Sequence, residues 1–196
     1  MDNTKLNIGE VRFSYLHVFQ PQASAGGSDK KYSVALIIPK SNTELVAKIK
    51  EAIRNAYNAG IGTFGGSLPE KGRWRSPLRD GDVEKAGDEA YKDSWFINAS
   101  SKTRPGIVKR DPTGVQKFVP IADEQELYSG CYGYASVNFF AYNNSGNKGI
   151  SAGLNNVLKT RNGDFLGGRA SAESDFDSLD LENTPESDPV SDDNIF

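Results

Sequence analysis

The stretch Cys131-Tyr-Gly-Tyr-Ala-Ser-Val-Asn-Phe-Phe-Ala-Tyr142, followed by Asn143-Asn-Ser-Gly-Asn147 and then Lys148–Thr160, decides the fold. Its odd positions, Cys131, Gly133, Ala135, Val137, Phe139 and Ala141, are small or apolar and suit an interior. Its even positions, Tyr132, Tyr134, Ser136, Asn138, Phe140 and Tyr142, are polar or aromatic. A period of two is the mark of a half-buried strand. The turn-rich linker makes the two runs a hairpin.

Strand signals extend outward from there. Glu10–Phe19 alternates, with Val11, Phe13, Tyr15 and Phe19 read on one side. The turn-like stretch 20–29 separates it from Lys31–Ile38, whose unbroken apolar end reads as a buried strand closed by Pro39. One strong helix follows at about 41–59. Ser41 and Glu44 form a capping-box pattern, Leu45, Ile49, Ala52, Ile53 and Ala56 recur at helical spacing, and Gly60 ends it. Residues 60–93 show no period, and a loop of that length inside a domain is usually functional or mobile. Strands resume at Ser94–Lys102 and Lys117–Ile121. The fold class expected is mainly β: a small, mostly antiparallel barrel of five to seven strands with one inserted helix.

Charge divides the chain. It carries 23 Lys and Arg against 26 Asp and Glu, a net charge of −3. Residues 170–196 hold nine of those carboxylates and no cation, so residues 1–169 keep 23 cations against 17 carboxylates, a net +6. Such asymmetry points the basic part toward a polyanion and the acidic part toward interaction or self-masking. The domains expected are 1–169, folded, and 170–196, a disordered acidic tail too poor in apolar residues to offset the entropy of ordering. A tail that served only solubility gains nothing from Ile195-Phe196 at its tip. Beside Asp192 and Asp193, that apolar pair suits a basic-rimmed pocket on a partner.

Cations and rings are interleaved along the body. Arg12 lies among Phe13 and Tyr15, Lys31 precedes Tyr32, Arg73 and Arg75 flank Trp74, and Lys102 and Arg104 follow Trp95 and Phe96. A groove lined this way tracks phosphates by Coulomb attraction and holds unstacked bases on rings, at about 1–3 kcal/mol per base. The competing reading is that the tyrosines are core edges with wet hydroxyls. The candidates for binding nucleic acid are Arg12, Lys31, Arg73, Trp74, Arg75, Lys102, Arg104, Tyr132, Tyr134, Phe140, Tyr142 and Lys148.

Enzymatic readings find less support. Asp80-Gly81-Asp82 with Glu84 is a weak candidate for a metal nuclease, because Asp80 and Asp82 can simply pair with Arg79 or Arg75. The sequence has no GxxxxGK[ST] phosphate cradle. His17 and Cys131 are each the only residue of their type, so a zinc site built from several Cys and His ligands is excluded, as is an internal disulfide. No run approaches the roughly 18 apolar residues of a membrane span, and the first ten residues lack the pattern of a secretory leader. No catalytic residue, metal or other cofactor is expected, and the cytoplasm is the expected location.

A set of ordered motifs carries a resemblance. Gly9–Phe19, Lys31–Lys40, Pro77–Asp82, Asn98–Gly106, Tyr128–Tyr132, Val137–Phe139, Asn147–Ile150 and Gly153–Val157 together resemble the bacteriophage single-stranded DNA-binding protein family once catalogued as a domain of unknown function. The match spans nearly all of the body. It implies an OB-fold barrel that coats single-stranded DNA in replication, recombination or repair, and an acidic tail that recruits proteins of those processes. The ending Asp192–Phe196 is also similar to the acidic, Phe-terminated tips of bacterial and other phage single-stranded DNA-binding proteins, although it lacks their Pro before Phe. The expected partners are single-stranded DNA and, through the tail, replication or recombination proteins. A homodimer is allowed, and a recombination mediator or annealing protein is the alternative reading.

Overall fold

Long two-faced runs in the sequence become long, paired strands in the computed structural model, which describes residues 3–23 and 28–167. In chain order the elements are β1 (Lys5–Ala23), β2 (Lys30–Pro39), α1 (Thr43–Ala59), β3 (Arg79–Asp80), α2 (Gly81–Glu84), β4 (Ser94–Ser101), β5 (Gly106–Arg110), β6 (Phe118–Pro120), β7 (Tyr132–Asn144) and β8 (Asn147–Arg161). Single 3₁₀ turns lie at Glu89–Tyr91 and Glu124–Glu126. The expected tail, with Asp192, Asp193, Ile195 and Phe196, and the boundary drawn at residue 169 lie outside the described residues.

Five strands close a barrel. β1 pairs with β2, β2 with β4, β4 with β8, β8 with β7, and β7 with β1 again. The pairings are antiparallel except β4–β8, where Ala99 and Ser100 stand opposite Ala152 and Gly153 in parallel. The short β3, β5 and β6 add to the outside of this barrel. β5 pairs in parallel with the C-terminal half of β8. No strand was expected there from the sequence.

The inward rows follow the period of two. Val34, Leu36 and Ile38 of β2, Ile97 and Ala99 of β4, Ala135, Val137 and Phe139 of β7, and Ile150, Ala152 and Leu154 of β8 are buried in one cluster with Cys131. The hairpin turn is tighter than the five residues expected, because pairing continues to Asn144 and Asn147. Ser145 and Gly146 both take positive φ, 50° and 87°, as a two-residue turn with the twist of its strands requires.

The first strand breaks the pattern. Its pairing with β2 slips between Ser14 and His17, and Tyr15 takes φ 44°. This bulge turns Tyr15 outward, 54% exposed, while Phe13, Val18 and Phe19 stay in the core. The expectation that Tyr15 shares a side with Phe13 is therefore corrected: an extra residue on one strand inverts the phase beyond it.

α1 lies against the barrel through Leu45, Val46, Ile49, Ala52, Ile53 and Ala56, which join the same core. Its cap is Asn42 rather than Ser41: the Asn42 side chain accepts from the Leu45 amide at 3.2 Å. Gly60 ends the helix where a Cβ would come within 2.5 Å of the Ala141 methyl. The segment from 61 to 93 is pinned to the barrel rather than free. Arg75 donates its amide to the Lys148 carbonyl and accepts from the Ile150 amide, both at 3.0 Å, extending the sheet beside β8. Further on, Asp80 and Asp82 converge on the Lys40 ammonium, at 2.7 and 2.6 Å. Lys40 is thus their partner, in place of the Arg79 or Arg75 expected.

Candidate nucleic-acid interface

The outer face of β2 and β4 is lined by small and polar residues. Ser33 stands opposite Ser100, and Ala35 opposite Asn98. Farther along the same row, Ile37 and Phe96 pack with Tyr91 into a second, smaller apolar cluster on the outside of the barrel. That cluster seats the 79–92 segment over one end of the face and leaves the Ser33–Ser100 end open.

Two hollows result. One, of about 570 Å³, is lined by Tyr15, His17, Lys31, Ser33, Lys85, Tyr91 and Ser100 among others. The second, of about 520 Å³, is lined by Arg75, Ser76, Pro77, Leu78, Tyr142 and Ser151 among others. Arg79, Glu84 and Asn98 line both, so the two hollows abut and form one groove from the β1 bulge to the β7–β8 hairpin.

The groove is cationic and ring-walled. Lys31, Arg75, Arg79 and Lys85 line it against one carboxylate, Glu84. Among the described residues, Lys31, Arg75 and Lys85 form no ion pair. Lys85 lies 4.8 Å from the centre of the Tyr15 ring and 5.6 Å from that of Tyr91, and Arg79 lies 4.8 Å from that of Phe96. Such contacts contribute about 0.5–1 kcal/mol each at exposed sites and hold the cations at defined places. Burial pushes the Tyr91 phenol upward, so it is a neutral wall. At the other end, the Tyr142 ring lies across Gly149, where a Cβ would come within 2.6 Å of its hydroxyl.

The sequence candidates separate into groups. Lys31, Arg75 and Tyr142 line the groove. Trp74, next to Arg75, is half-buried and packs on Tyr57 with ring centroids 5.1 Å apart. Arg73 is exposed and pairs with Glu70 at 3.6 Å. Lys102, two residues past Ser100, pairs with Asp29 at 2.9 Å, and Arg104 lies 5.9 Å from the Phe19 ring. The Lys148 ammonium donates to the Phe64 carbonyl.

The outward face of β7 is divided as well. Phe140 is 45% exposed opposite Ser151. Tyr134 sits in a separate apolar hollow of about 300 Å³ with Val108, Phe118 and Leu158. Tyr132 is held between two guanidiniums, Arg161 at 3.4 Å and Arg12 at 5.8 Å from its ring centre. Arg12 is further tied to the Asp164 carbonyl at 2.8 Å. The structure thus gathers three of the twelve candidates in one groove. It adds Tyr15, His17, Arg79, Lys85, Asn98 and Ser100, which the sequence reading had not assigned to it.

Among the described residues, no three His, Cys, Asp or Glu side chains come together as a metal site. No helix among them is long and apolar enough to cross a membrane.

A closed five-strand barrel with its groove over the second and third strands defines an OB-fold barrel, the class that holds oligonucleotides and oligosaccharides on that face. The chain belongs to the family described as the ssDNA-binding protein of Enterobacter phage Enc34, whose match covers residues 4–188. A relative, protein p50 of Acyrthosiphon pisum secondary endosymbiont phage 1, is 33% identical over 183 residues, 90% of this chain and 95% of its own length. The single-stranded DNA-binding protein of bacteriophage Enc34 in complex with ssDNA matches with a TM-score of 0.72 and 24% identity, over 84% of this chain and 90% of that one. Gp2.5, a single-stranded DNA-binding protein encoded by bacteriophage T7, shares the fold at a TM-score of 0.54 and 15% identity, over 96% and 98% of the two chains.

Proposed function

We propose that this chain binds single-stranded DNA without sequence preference and acts by binding rather than by turnover. In this reading it coats and protects single strands in the host cytoplasm during phage replication, recombination or repair. The observation that carries it is the composition of the groove: four cations against one carboxylate, with the exposed ring of Tyr15 and the half-buried ring of Tyr142 on its walls. Cations spaced along a trough engage phosphates whatever the bases are. Rings accept any base, so affinity arises without a sequence code. The ssDNA-bound structure of the Enc34 protein, on the same fold, supports the assignment. Titration of a labelled oligothymidine and a mixed-sequence strand of equal length, followed by fluorescence anisotropy, tests it. Similar affinities that both weaken with salt are expected, and absence of binding at low salt refutes it.

The domain division at residue 169 and the role of the tail belong to the same proposal. Nine carboxylates on a tether reach a high effective concentration at the groove and compete with DNA. Asp192, Asp193, Ile195 and Phe196 form the docking peptide for a replication or recombination protein. Removing residues 170–196 then tightens DNA binding, most at low salt, where charges are least screened. Equal affinities of the full and shortened chains across salt would sink the masking role and leave DNA binding intact.

A further inference from the structure

Glu84 is the anomaly of the groove. It is the one carboxylate among the residues that line both hollows, placed where the proposed ligand is a polyanion. Its position is built rather than accidental. α2 is a single turn whose start is fixed by other groups: Asp80 caps it by accepting from the Asp82 amide at 3.0 Å, and Asp82 in turn accepts from the Asp93 amide at 2.9 Å. Both carboxylates are clamped by Lys40. Close packing adds to this, since a Cβ at Gly81 would come within 2.3 Å of the Tyr91 carbonyl. The turn therefore delivers Glu84 to the middle of the groove and Lys85 beside it.

There the Glu84 carboxylate takes the Arg79 guanidinium. One carboxylate oxygen accepts from both Nε, at 2.7 Å, and a terminal nitrogen, and the pairing raises the Arg79 pKa further. Arg79 is also stacked on Phe96, so its fork is held at one place and one tilt. A guanidinium binds carboxylate and phosphate oxygens with the same donor geometry. Side chains of both partners remain about 40% exposed, 40% for Arg79 and 37% for Glu84, so an incoming strand can reach the pair.

We infer that Glu84 is an internal phosphate mimic that occupies Arg79 in the free protein and is displaced when a single strand enters the groove. This deepens the single-strand reading and rests on it. The exchange swaps one anion for another on Arg79. The net gain on binding is smaller than four cations would give, and the central cation is covered against weaker anions until a polymer arrives. Glu84 is a positioning and affinity-setting residue, and Arg79 is the group that meets the phosphate.

The test is anisotropy titration of labelled oligothymidine, across salt, with Glu84→Gln, Arg79→Gln, the double variant and Glu51→Gln, a remote removal of charge on α1. Thermal melts check that each is folded. Glu84→Gln is expected to bind two- to fivefold tighter than the parent, the range set by an exposed ion pair of up to about 1 kcal/mol. Its salt slope is expected to be steeper by about 0.7, one additional neutralised phosphate. Arg79→Gln weakens binding, and in that background Glu84→Gln brings no gain beyond that of Glu51→Gln. A gain no larger than that of Glu51→Gln, or one that survives loss of Arg79, overturns the inference while leaving single-strand binding in place. Failure of every variant, the parent included, to bind at low salt instead removes the single-strand reading and this inference with it.

Discussion

Salt dependence should count the cations of the groove. Lys31, Arg75 and Lys85 line it without an ion pair among the described residues, and Arg79 exchanges one anion for another. Each newly neutralised phosphate of a single strand contributes about −0.7 to the slope of log affinity against log salt. Three such contacts predict a slope of about −2.1, or roughly a 20-fold loss of affinity between 50 and 200 mM salt. The perturbation is stepwise neutralisation. Lys31→Gln should bring the slope to about −1.4, and the triple variant Lys31→Gln, Arg75→Gln, Lys85→Gln should bring it near zero. Arg73→Gln, which removes a cation already paired with Glu70 and outside both hollows, should leave the slope close to that of the parent. Anisotropy of a labelled oligothymidine at four or more salt concentrations reads each slope, on the chain without residues 170–196 so that the slope reports the groove alone. If the triple variant kept the parental slope, phosphates would be held elsewhere and the placement of the interface would be wrong.

Three further outcomes test other links. Gly149→Ala sets a methyl against the Tyr142 hydroxyl and the Arg75 carbonyl, at 2.6 and 2.8 Å; it should weaken oligothymidine binding and cost about 1–3 kcal/mol in chemical denaturation. Ile49→Ala, in the fully buried row of α1, should destabilise by about 2–5 kcal/mol with little change in binding per folded molecule. Acid should act through Asp29, Glu44, Asp82 and Asp111. The first three are held below the usual carboxylate range by hydrogen bonds from Lys102, Lys48 and Lys40 respectively, and Asp111 by turn amides led by Gln116. A depressed carboxylate contributes stability above its unfolded value, near 4, that is lost as pH falls through the folded value. Melting temperature should therefore be flat from about pH 8 to 5 and fall below about pH 4, with a smaller fall in Asp82→Asn.

How much of this could be read from residues alone depends on what fixes each feature. The phase of β7 was legible because one face is buried from Gly133 to Phe139, and a period of two leaves no freedom once that face is known. The other barrel strands followed for the same reason, and α1 from the helical spacing of Leu45, Ile49, Ala52, Ile53 and Ala56. Tyr15 was misplaced because a bulge is a backbone event: nothing in Ser14-Tyr15-Leu16-His17 distinguishes a strand that slips by a residue from one that does not. The aromatic candidates scatter for a third reason. Alternation says that Tyr132, Tyr134, Phe140 and Tyr142 face outward, but which of them meets the groove depends on the strands beside each. Tyr142 has the strap at Arg75 next to it, whereas Tyr134 has β5 and β6.

The groove itself left little trace in the sequence because its floor is made of residues chosen for smallness. Ser33, Ala35, Asn98 and Ser100 carry no motif, and they matter because β2 and β4 set them opposite one another on the outer face. Its cations were hidden by the opposite effect. Arg79 and Lys85 sit in a run with Asp80, Asp82 and Glu84, where on paper three carboxylates outweigh two cations. Folding separates what the sequence mixes. Lys40 draws Asp80 and Asp82 toward the start of α1, out of the groove, and leaves Arg79, Glu84 and Lys85 in it. A local count of charge therefore understates the field at this face. The loop between Gly60 and Asp93 earns its length by supplying Arg75, Arg79, Glu84 and Lys85 to a surface that the barrel strands leave polar but nearly uncharged.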